Sequence, residues 1–218
     1  MFDFHTHSIF SDGELIPSEL IRRAACNGYE AIAITDHVDF TNVEHVLDGL
    51  KKLGPWTERD GDLQVIIGVE ISHVPPEKIG KIVRKADDLG AELVVVHGET
   101  IVEPVERGTN KAAVSNPSVD ILAHPGLISE EEADIAKENE VYLELTSRKG
   151  HCLANGYVAK VSREVGAQLV LNTDLHSPDD FLTDEHAARI LAGAGLGPSE
   201  VMKVMDENPR ALLRKLGR

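Results

Sequence analysis

Two histidines stand near the start of the chain at i and i+2, in His5-Thr6-His7, and an acidic turn, Ser11-Asp12-Gly13, follows them. Alternate residues of an extended segment point to the same side, so both imidazoles can converge on one ion, with the Asp12 carboxylate close by. A lone His-x-His is as compatible with two ordinary polar side chains as with a ligand pair. The rest of the sequence tips that balance. Thr35-Asp36-His37, Gly68-Val69-Glu70, Val96-His97-Gly98, Ala123-His124-Pro125 and Thr173-Asp174-Leu175-His176 each close an apolar, β-rich run. Six of the ten histidines therefore fall at one structural level. Burying an unpaired polar group costs about 1–3 kcal/mol, so a core histidine usually occurs singly with its partner, not in a ring of six. Mixed imidazole and carboxylate donors suit Zn²⁺, Mn²⁺ or Fe²⁺ better than a dedicated Ca²⁺ site. The candidate ligands, His5, His7, Asp12, His37, Glu70, His97, His124, Asp174 and His176, outnumber what one ion can use, so more than one divalent metal is expected.

The elements that must position these residues are short apolar strands alternating with helical patterns. Strands are expected near Phe2–His5, Ala31–Thr35, Gln64–Val69, Glu92–His97, Val119–Ala123, Val141–Leu145 and Gln168–Asn172, most of them apolar enough to be covered on both faces. Helices are expected near Pro17–Cys26, Asn42–Leu53, Pro76–Leu89, Asn110–Asn116, Ser129–Glu138 and Ala154–Val165, with a helical C-terminal tail from about Asp184. The alternation calls for a parallel β/α architecture. An open doubly wound sheet would spread the candidate ligands along a line. A closed barrel gathers strand ends on one face, so seven such units in 218 residues are expected to form a compact, TIM-like closed β/α barrel with the site at the C-terminal ends of the strands.

At 218 residues the chain suits one domain spanning positions 1–218, and at 42% apolar and 27% charged residues it has the composition of a globular protein. The first residues, MFDFHTHSIF, carry neither a basic segment nor a long apolar run, so no secretory signal and no membrane span is expected. With only Cys26 and Cys152, a disulfide framework is not supported, and a cytoplasmic location is expected. The net charge of −15 argues against a nucleic-acid polymer as the principal partner. It argues less against a small phosphorylated substrate, because bound dications reverse the local sign of the field.

The ordered motifs HTHSIFSDGE, ITDH, GVE, VVHGE, LAHPG and NTDLHSP resemble those of the PHP family, the polymerase and histidinol phosphatase domain, over nearly the whole chain. The resemblance implies a distorted (β/α)7 barrel with up to three metals and metal-dependent phosphoesterase activity. It implies His5, His7, Glu70 and Asp174 around one metal, Glu70 bridging to a second held by His97 and His124, and Asp12, His37 and His176 around a third. Some members have His where this chain has Asp12, a change that bears on metal preference. A hydroxide bridging two metals would attack phosphorus in line with the leaving oxygen. Asp12, Glu70 and His176 are the candidate catalytic residues, with the leaving-group acid left open between a metal-bound water, Asp12 and His176.

Outside the metal set, Arg148 and Lys149 follow the sixth strand and could clamp a phosphate. His73 lies three residues beyond Glu70, and Arg107 sits in a polar segment before the helix at Asn110, whose N-terminus could receive an anion. These four are the candidate substrate-binding residues. His45, His151 and His186 show no partner pattern and read as ordinary, and Trp56 reads as the cover of a helix end. A small phosphate monoester, of the histidinol phosphate or nucleotide kind, is the expected substrate. Three alternatives stand beside it: a phosphodiesterase or nuclease, a metal-dependent amidohydrolase, and a catalytically silent metal-binding scaffold. The amidohydrolase is disfavoured because Glu70 occupies the bridging position and no expected strand ends in Lys.

Overall fold

The fold comes from a computed structural model, which describes residues 1–54 and 63–218; Trp56 lies outside the described residues. The strands are β1 (Phe2–Asp3), β2 (Ala31–Ile34), β3 (His37–Val38), β4 (Gln64–Ile71), β5 (Leu93–His97), β6 (Ile121–Ala123), β7 (Tyr142–Thr146) and β8 (Leu169–Asn172). The main ladder runs β1-β2-β4-β5-β6-β7-β8, every pairing is parallel, and β3 pairs beside β4. An isolated parallel bridge, Thr6 with Leu175, joins the first and last strands beyond their ladders, so the sheet forms a nearly closed barrel. All seven expected strands are present. The addition is β3, hidden in the sequence because Asp36 interrupts the apolar run.

The helices α1 (Pro17–Cys26), α2 (Val43–Leu50), α3 (Pro76–Asp88), α4 (Thr109–Val114), α5 (Glu130–Glu138) and α6 (Asn155–Val165) follow successive strands, and α7 (Asp184–Gly193), α8 (Pro198–Met202) and α9 (Asn208–Lys215) form the tail. Their apolar faces pack on the outside of the barrel. In α3, for example, Ile79, Ile82, Val83 and Ala86 are buried at helical spacing. A capping box closes the start of α5, where Ser129 Oγ accepts from Glu132 N and Glu132 Oε2 accepts from Ser129 N.

The strands divide their side chains between two cores. Val94 and Val96 of β5 join the large core against the helices, whereas Leu93 and Val95 join Phe2, Phe4, Ala31, Ala33, Ile66, Ile121, Ala123 and Val170 inside the barrel. Leu212 and Leu213 of α9 complete that inner cluster, so the C-terminal helix plugs the barrel at the N-terminal ends of the strands. Each buried Phe, Leu, Ile or Val among them contributes roughly 1.5–3 kcal/mol relative to exposure. The opposite end is left to polar residues. Cys26 and Cys152 are both free, and among the described residues no helix is long and apolar enough to cross a membrane.

Candidate metal centre

All nine sequence-identified metal-ligand candidates meet at the C-terminal end of the barrel. The two histidines of the first motif get there through a break in their strand. The ladder of β1 stops at Asp3 and pairing resumes at Thr6. Between them, Phe4 N donates to Asn172 Oδ1 (2.9 Å) and His5 N donates to Asp3 Oδ1 (3.2 Å). The break changes which parity faces inward, so Phe2 and Phe4 fill the barrel while His5 and His7 both face the cup above it.

His5 Nε2 lies 3.3 Å from Glu70 Oε2 and 3.8 Å from Asp174 Oδ1, and His7 Nε2 lies 3.6 and 3.2 Å from the same two oxygens. On the other side of Glu70, Oε1 is 3.6 Å from His124 Nε2, and His97 completes a second group of donors with these two. A third group surrounds Asp12, whose Oδ1 is 3.2 Å from His176 Nε2, 3.7 Å from His37 Nε2 and 3.9 Å from His7 Nδ1. The register of β3 on β4, His37 opposite Glu70, brings the third group against the first two. The Glu70 side chain is fully buried and that of Asp12 is 56% exposed, so the third group forms the open side of the cup.

Whether these residues fit metal is tested by their unmet polar atoms. His5 Nε2, His7 Nε2, both carboxylate oxygens of Glu70 and His124 Nδ1 are buried without a well-directed hydrogen bond, although His37 Nδ1 approaches Glu70 Oε2 to 2.7 Å. Each such atom costs about 1–3 kcal/mol if nothing fills its need, and native proteins rarely group them. A nest of unmet nitrogen and carboxylate donors is what a divalent transition metal requires. Backbone strain is concentrated at the same place. His73, His124 and Asp174 have positive φ (53°, 27° and 55°), which costs about 1–3 kcal/mol each in residues with a side chain. Gly126 (φ 61°) and Gly98 let the loops after β6 and β5 touch: a Cβ on Gly126 would sit 2.0 Å from Glu99 O, and one on Gly98 2.3 Å from Ala123 O.

A ring of buried groups holds the ligands. Glu144 of β7 accepts from His5 Nδ1 (2.8 Å) and Asn172 Nδ2 (2.8 Å) on Oε1 and from His124 N (2.9 Å) on Oε2. Asp36 accepts from Ser8 N (2.8 Å), Ser8 Oγ (2.7 Å) and Ser11 Oγ (2.6 Å), which fixes the loop between His7 and Asp12. Asp3 accepts from Thr173 N and Thr173 Oγ1, next to Asp174. Sequence reasoning missed Glu144. The signal was present, since a Glu flanked by leucines in an apolar strand is buried and must be partnered.

The far wall differs more from expectation. His151, read as ordinary, is buried, receives or gives a hydrogen bond at Thr100 Oγ1 (2.6 Å from Nδ1) and stacks on His124 with centroids 4.3 Å apart. Glu103 joins it there, with its carboxylate 3.1 Å from His97 Nε2, 3.4 Å from His151 Nε2 and 3.8 Å from His73 Nε2. His73 and Arg148 line the same cavity of about 370 Å³, together with Asp12, His97 and His176. Arg148 Nη1 also lies 3.6 Å from Asp180 Oδ2. Lys149 and Arg107 are exposed and do not line this cavity. The amides at the start of α4 are already taken, with Gly108 N and Asn110 N both donating to Glu99 Oε1 (2.8 and 3.0 Å). His45 packs its ring edgewise on Phe10, and His186 is exposed.

Protonation follows the balance of burial and charge. Burial pushes His5 down, but the carboxylates of Glu70, Glu144 and Asp174 outweigh it and hold the imidazole well above its usual range. The same contest, won by Glu70 and Asp12, raises His37 to about 9. His7 goes the other way, to about 4, because burial dominates and His37 adds repulsion. Burial would raise Glu70 and Asp174, yet the surrounding imidazoles, His5 first, keep both carboxylates well below their usual values. The hydrogen bond from His97 lowers Glu103 to about 2. The carboxylates are thus ionised and available as ligands throughout the neutral range.

A family model, PHP domain, matches residues 3–145, the part of the chain that carries seven of the nine candidate ligands from His5 to His124. The chain belongs to the PHP domain family. An uncharacterised protein of Methanocaldococcus jannaschii is 50% identical to this PHP domain protein over 222 residues, covering 99% of each chain. A probable phosphatase of Caldanaerobacter subterraneus subsp. tengcongensis is 30% identical over 225 residues, covering 93% of this chain and 86% of that protein. Among solved structures, a chain of archaeal ribonuclease P with mature tRNA superposes with a TM-score of 0.73 at 17% identity, over 98% of this chain and 90% of that one, a likeness of fold.

Proposed function

We propose that this PHP domain protein is a metal-dependent phosphoesterase that hydrolyses a small phosphate monoester. The observation that carries the reading is the nest of buried, unmet nitrogen and oxygen atoms on His5, His7 and Glu70, with His124 Nε2 3.6 Å from Glu70 Oε1, beneath a cavity lined by Asp12, His37, His97, Asp174, His176 and the Arg148 guanidinium. His5, His7, Glu70 and Asp174 would hold one ion, Glu70, His97 and His124 a second, and Asp12, His37 and His176 a third, with Zn²⁺, Mn²⁺ or Fe²⁺ matching the donor set. Such ions supply a water nucleophile near neutral pH and neutralise the phosphoryl oxygens.

The chain's own residues do the rest. Glu144 and Asp36 fix the first motif by hydrogen bonds to His5 and to Ser8 and Ser11, so the donors are in place before substrate arrives. Arg148 lines the cavity and gives a planar fork to a phosphoryl oxygen. Asp12 and His176 stand at the open side, 3.2 Å apart, and the proton for the leaving oxygen would come from one of these two groups or from a water held by the ion they bind. In the overall step a water oxygen bonds phosphorus, the ester P–O bond breaks and the alcohol departs with a proton, leaving inorganic phosphate.

The net charge of −15 favours a small ester over a polymer, since a long polyanion would meet that charge outside the cup. Two free cysteines fit a cytoplasmic protein. The fold shared with a ribonuclease P chain motivates a second reading, phosphodiester cleavage in RNA or DNA. Strand ends among the described residues carry no Lys to serve as a carboxylated bridge, which speaks against an amidohydrolase. The test is phosphate release from a monoester panel by protein stripped with EDTA and then reloaded with Mn²⁺ or Zn²⁺. Activity that vanishes and returns supports the proposal; a reloaded protein that leaves monoesters intact but cuts diesters or single strands moves the assignment to the second reading.

A further inference from the structure

Beside the cup lies a larger cavity, about 640 Å³, that none of the ligand residues occupies. It opens between the turn that starts α6 and the segment from Asp179 into α7, the two connections that also deliver Arg148 and His176 to the cup. Asp180 is the partition. It lines this groove, while its carboxylate accepts from His176 N (2.9 Å) and Ser177 N (2.7 Å) and lies 3.6 Å from Arg148 Nη1. One residue therefore separates the place proposed for the phosphoryl group from a pocket of ligand size.

The chemistry of the groove is specific. Its walls include Leu153, Phe181 and Ile190, with Leu153 left 71% exposed, so an apolar face is available for cover. Its charged lining residues are Asp179 and Asp180, with His186 beside them; neither Lys nor Arg contributes to the lining. Asp180 is committed to the His176 backbone and to Arg148, whereas Asp179 is exposed and forms no hydrogen bond or ion pair among the described residues. An anionic group entering here would meet two carboxylates, with His186 as the one basic side chain in the lining and no Lys or Arg to compensate. A neutral or amine-bearing group with an apolar face would be matched on both counts.

We propose that this groove binds the leaving alcohol of the substrate, and that the alcohol is neutral or cationic with an apolar face. The inference rests on the phosphoesterase reading and gives it a substrate class. It also assigns specificity to residues outside the cup: Asp179 reads the charge of the alcohol, and Leu153, Phe181 and Ile190 read its bulk. Gly156 offers a way to test the space, because it lines the groove and a Cβ there would make only an ordinary contact with Ala194 O, at 3.7 Å.

The experiment uses metal-loaded full-length protein and four probes: acetyl phosphate, which has a minimal leaving group, and phenyl phosphate, 4-(2-aminoethyl)phenyl phosphate and 4-carboxyphenyl phosphate, which share a ring and differ in charge. The wild type is expected to show kcat/KM at least tenfold higher for the amine than for the carboxylate. Gly156→Phe is expected to lower the ratio of phenyl to acetyl phosphate turnover at least tenfold, and Asp179→Lys to shrink the amine-to-carboxylate ratio at least tenfold. Hydrolysis with ratios that neither substitution moves would overturn the groove assignment and leave the phosphoesterase reading standing. Failure of the wild type to hydrolyse any of the four, acetyl phosphate included, would overturn both.

Discussion

Replacing Glu144 by Gln isolates the contribution of one buried carboxylate to the metal cup. Its side chain is fully buried and accepts three hydrogen bonds, from His5 Nδ1 and Asn172 Nδ2 on one oxygen and from His124 N on the other. Gln has the same shape but offers one acceptor and one amino group. If the amino group takes the Oε1 place it faces both the Asn172 amide and His5 Nδ1; if it takes the Oε2 place it faces the His124 N–H. In either arrangement at least one buried donor loses its acceptor, a loss of about 1–3 kcal/mol. For a chain of this size that lowers the melting temperature of the metal-free protein by roughly 2–12 °C. Removing the charge behind His5 also weakens that imidazole as a ligand, and carboxylates in this position typically account for about 10–100-fold in metal affinity. Competition with a chromophoric chelator measures that affinity, and circular dichroism of the metal-free protein measures the melt. A Glu144→Gln protein with wild-type affinity and wild-type melting would refute the reasoning, because both effects follow from the same three hydrogen bonds.

Further outcomes follow from the same geometry. Protein prepared without chelator should contain at least two equivalents of transition metal by elemental analysis, and one equivalent or fewer after reloading would contradict a multinuclear centre. Glu70→Gln should lose metal and activity together, whereas Arg148→Ala should keep its metals and raise KM; equal metal loss in the two would reverse these roles. At the other end of the barrel, Lys215 Nζ lies 3.1 Å from Asp120 Oδ1. Burial raises the Asp120 carboxyl, and Lys215 and the N–H of Val94 oppose the rise. Because the folded-state pKa lies above the unfolded value, ionising Asp120 lowers stability as pH rises through that interval, and Lys215 limits the loss. Lys215→Met should therefore destabilise by about 1–3 kcal/mol at pH 8 and by much less at a pH below the ordinary carboxylate range, where Asp120 is protonated. Denaturant unfolding at the two pH values checks this, and a difference that does not change with pH would attribute the effect to the lost bond from Lys215 Nζ to Glu140 O instead.

The order of strands and helices, the closed parallel architecture and the identity of the ligand candidates were legible in the sequence. Runs such as Leu93-Val94-Val95-Val96, short and rich in β-branched residues, read as strands covered on both faces, and a His or carboxylate at the end of most of them reports a shared polar end. Both signals are local, set by which side chains prefer water and by the two-residue period of a strand. Tertiary structure decided what depends on neighbours distant in sequence. Glu144 became a support because β7 lies beside β8 and Asn172 of β8 points at its carboxylate. His151 and Glu103 entered the cup because the loops after β5 and β7 meet there, bringing Thr100 to His151, a contact that neither local segment encodes. Phe2 and His5, of opposite parity in one short segment, both face inward only because the strand breaks at Phe4, where Asn172, 168 residues away, captures the backbone N–H. Hydrophobic patterning is written residue by residue, whereas a hydrogen-bond partner is chosen by the fold that brings it within 3 Å.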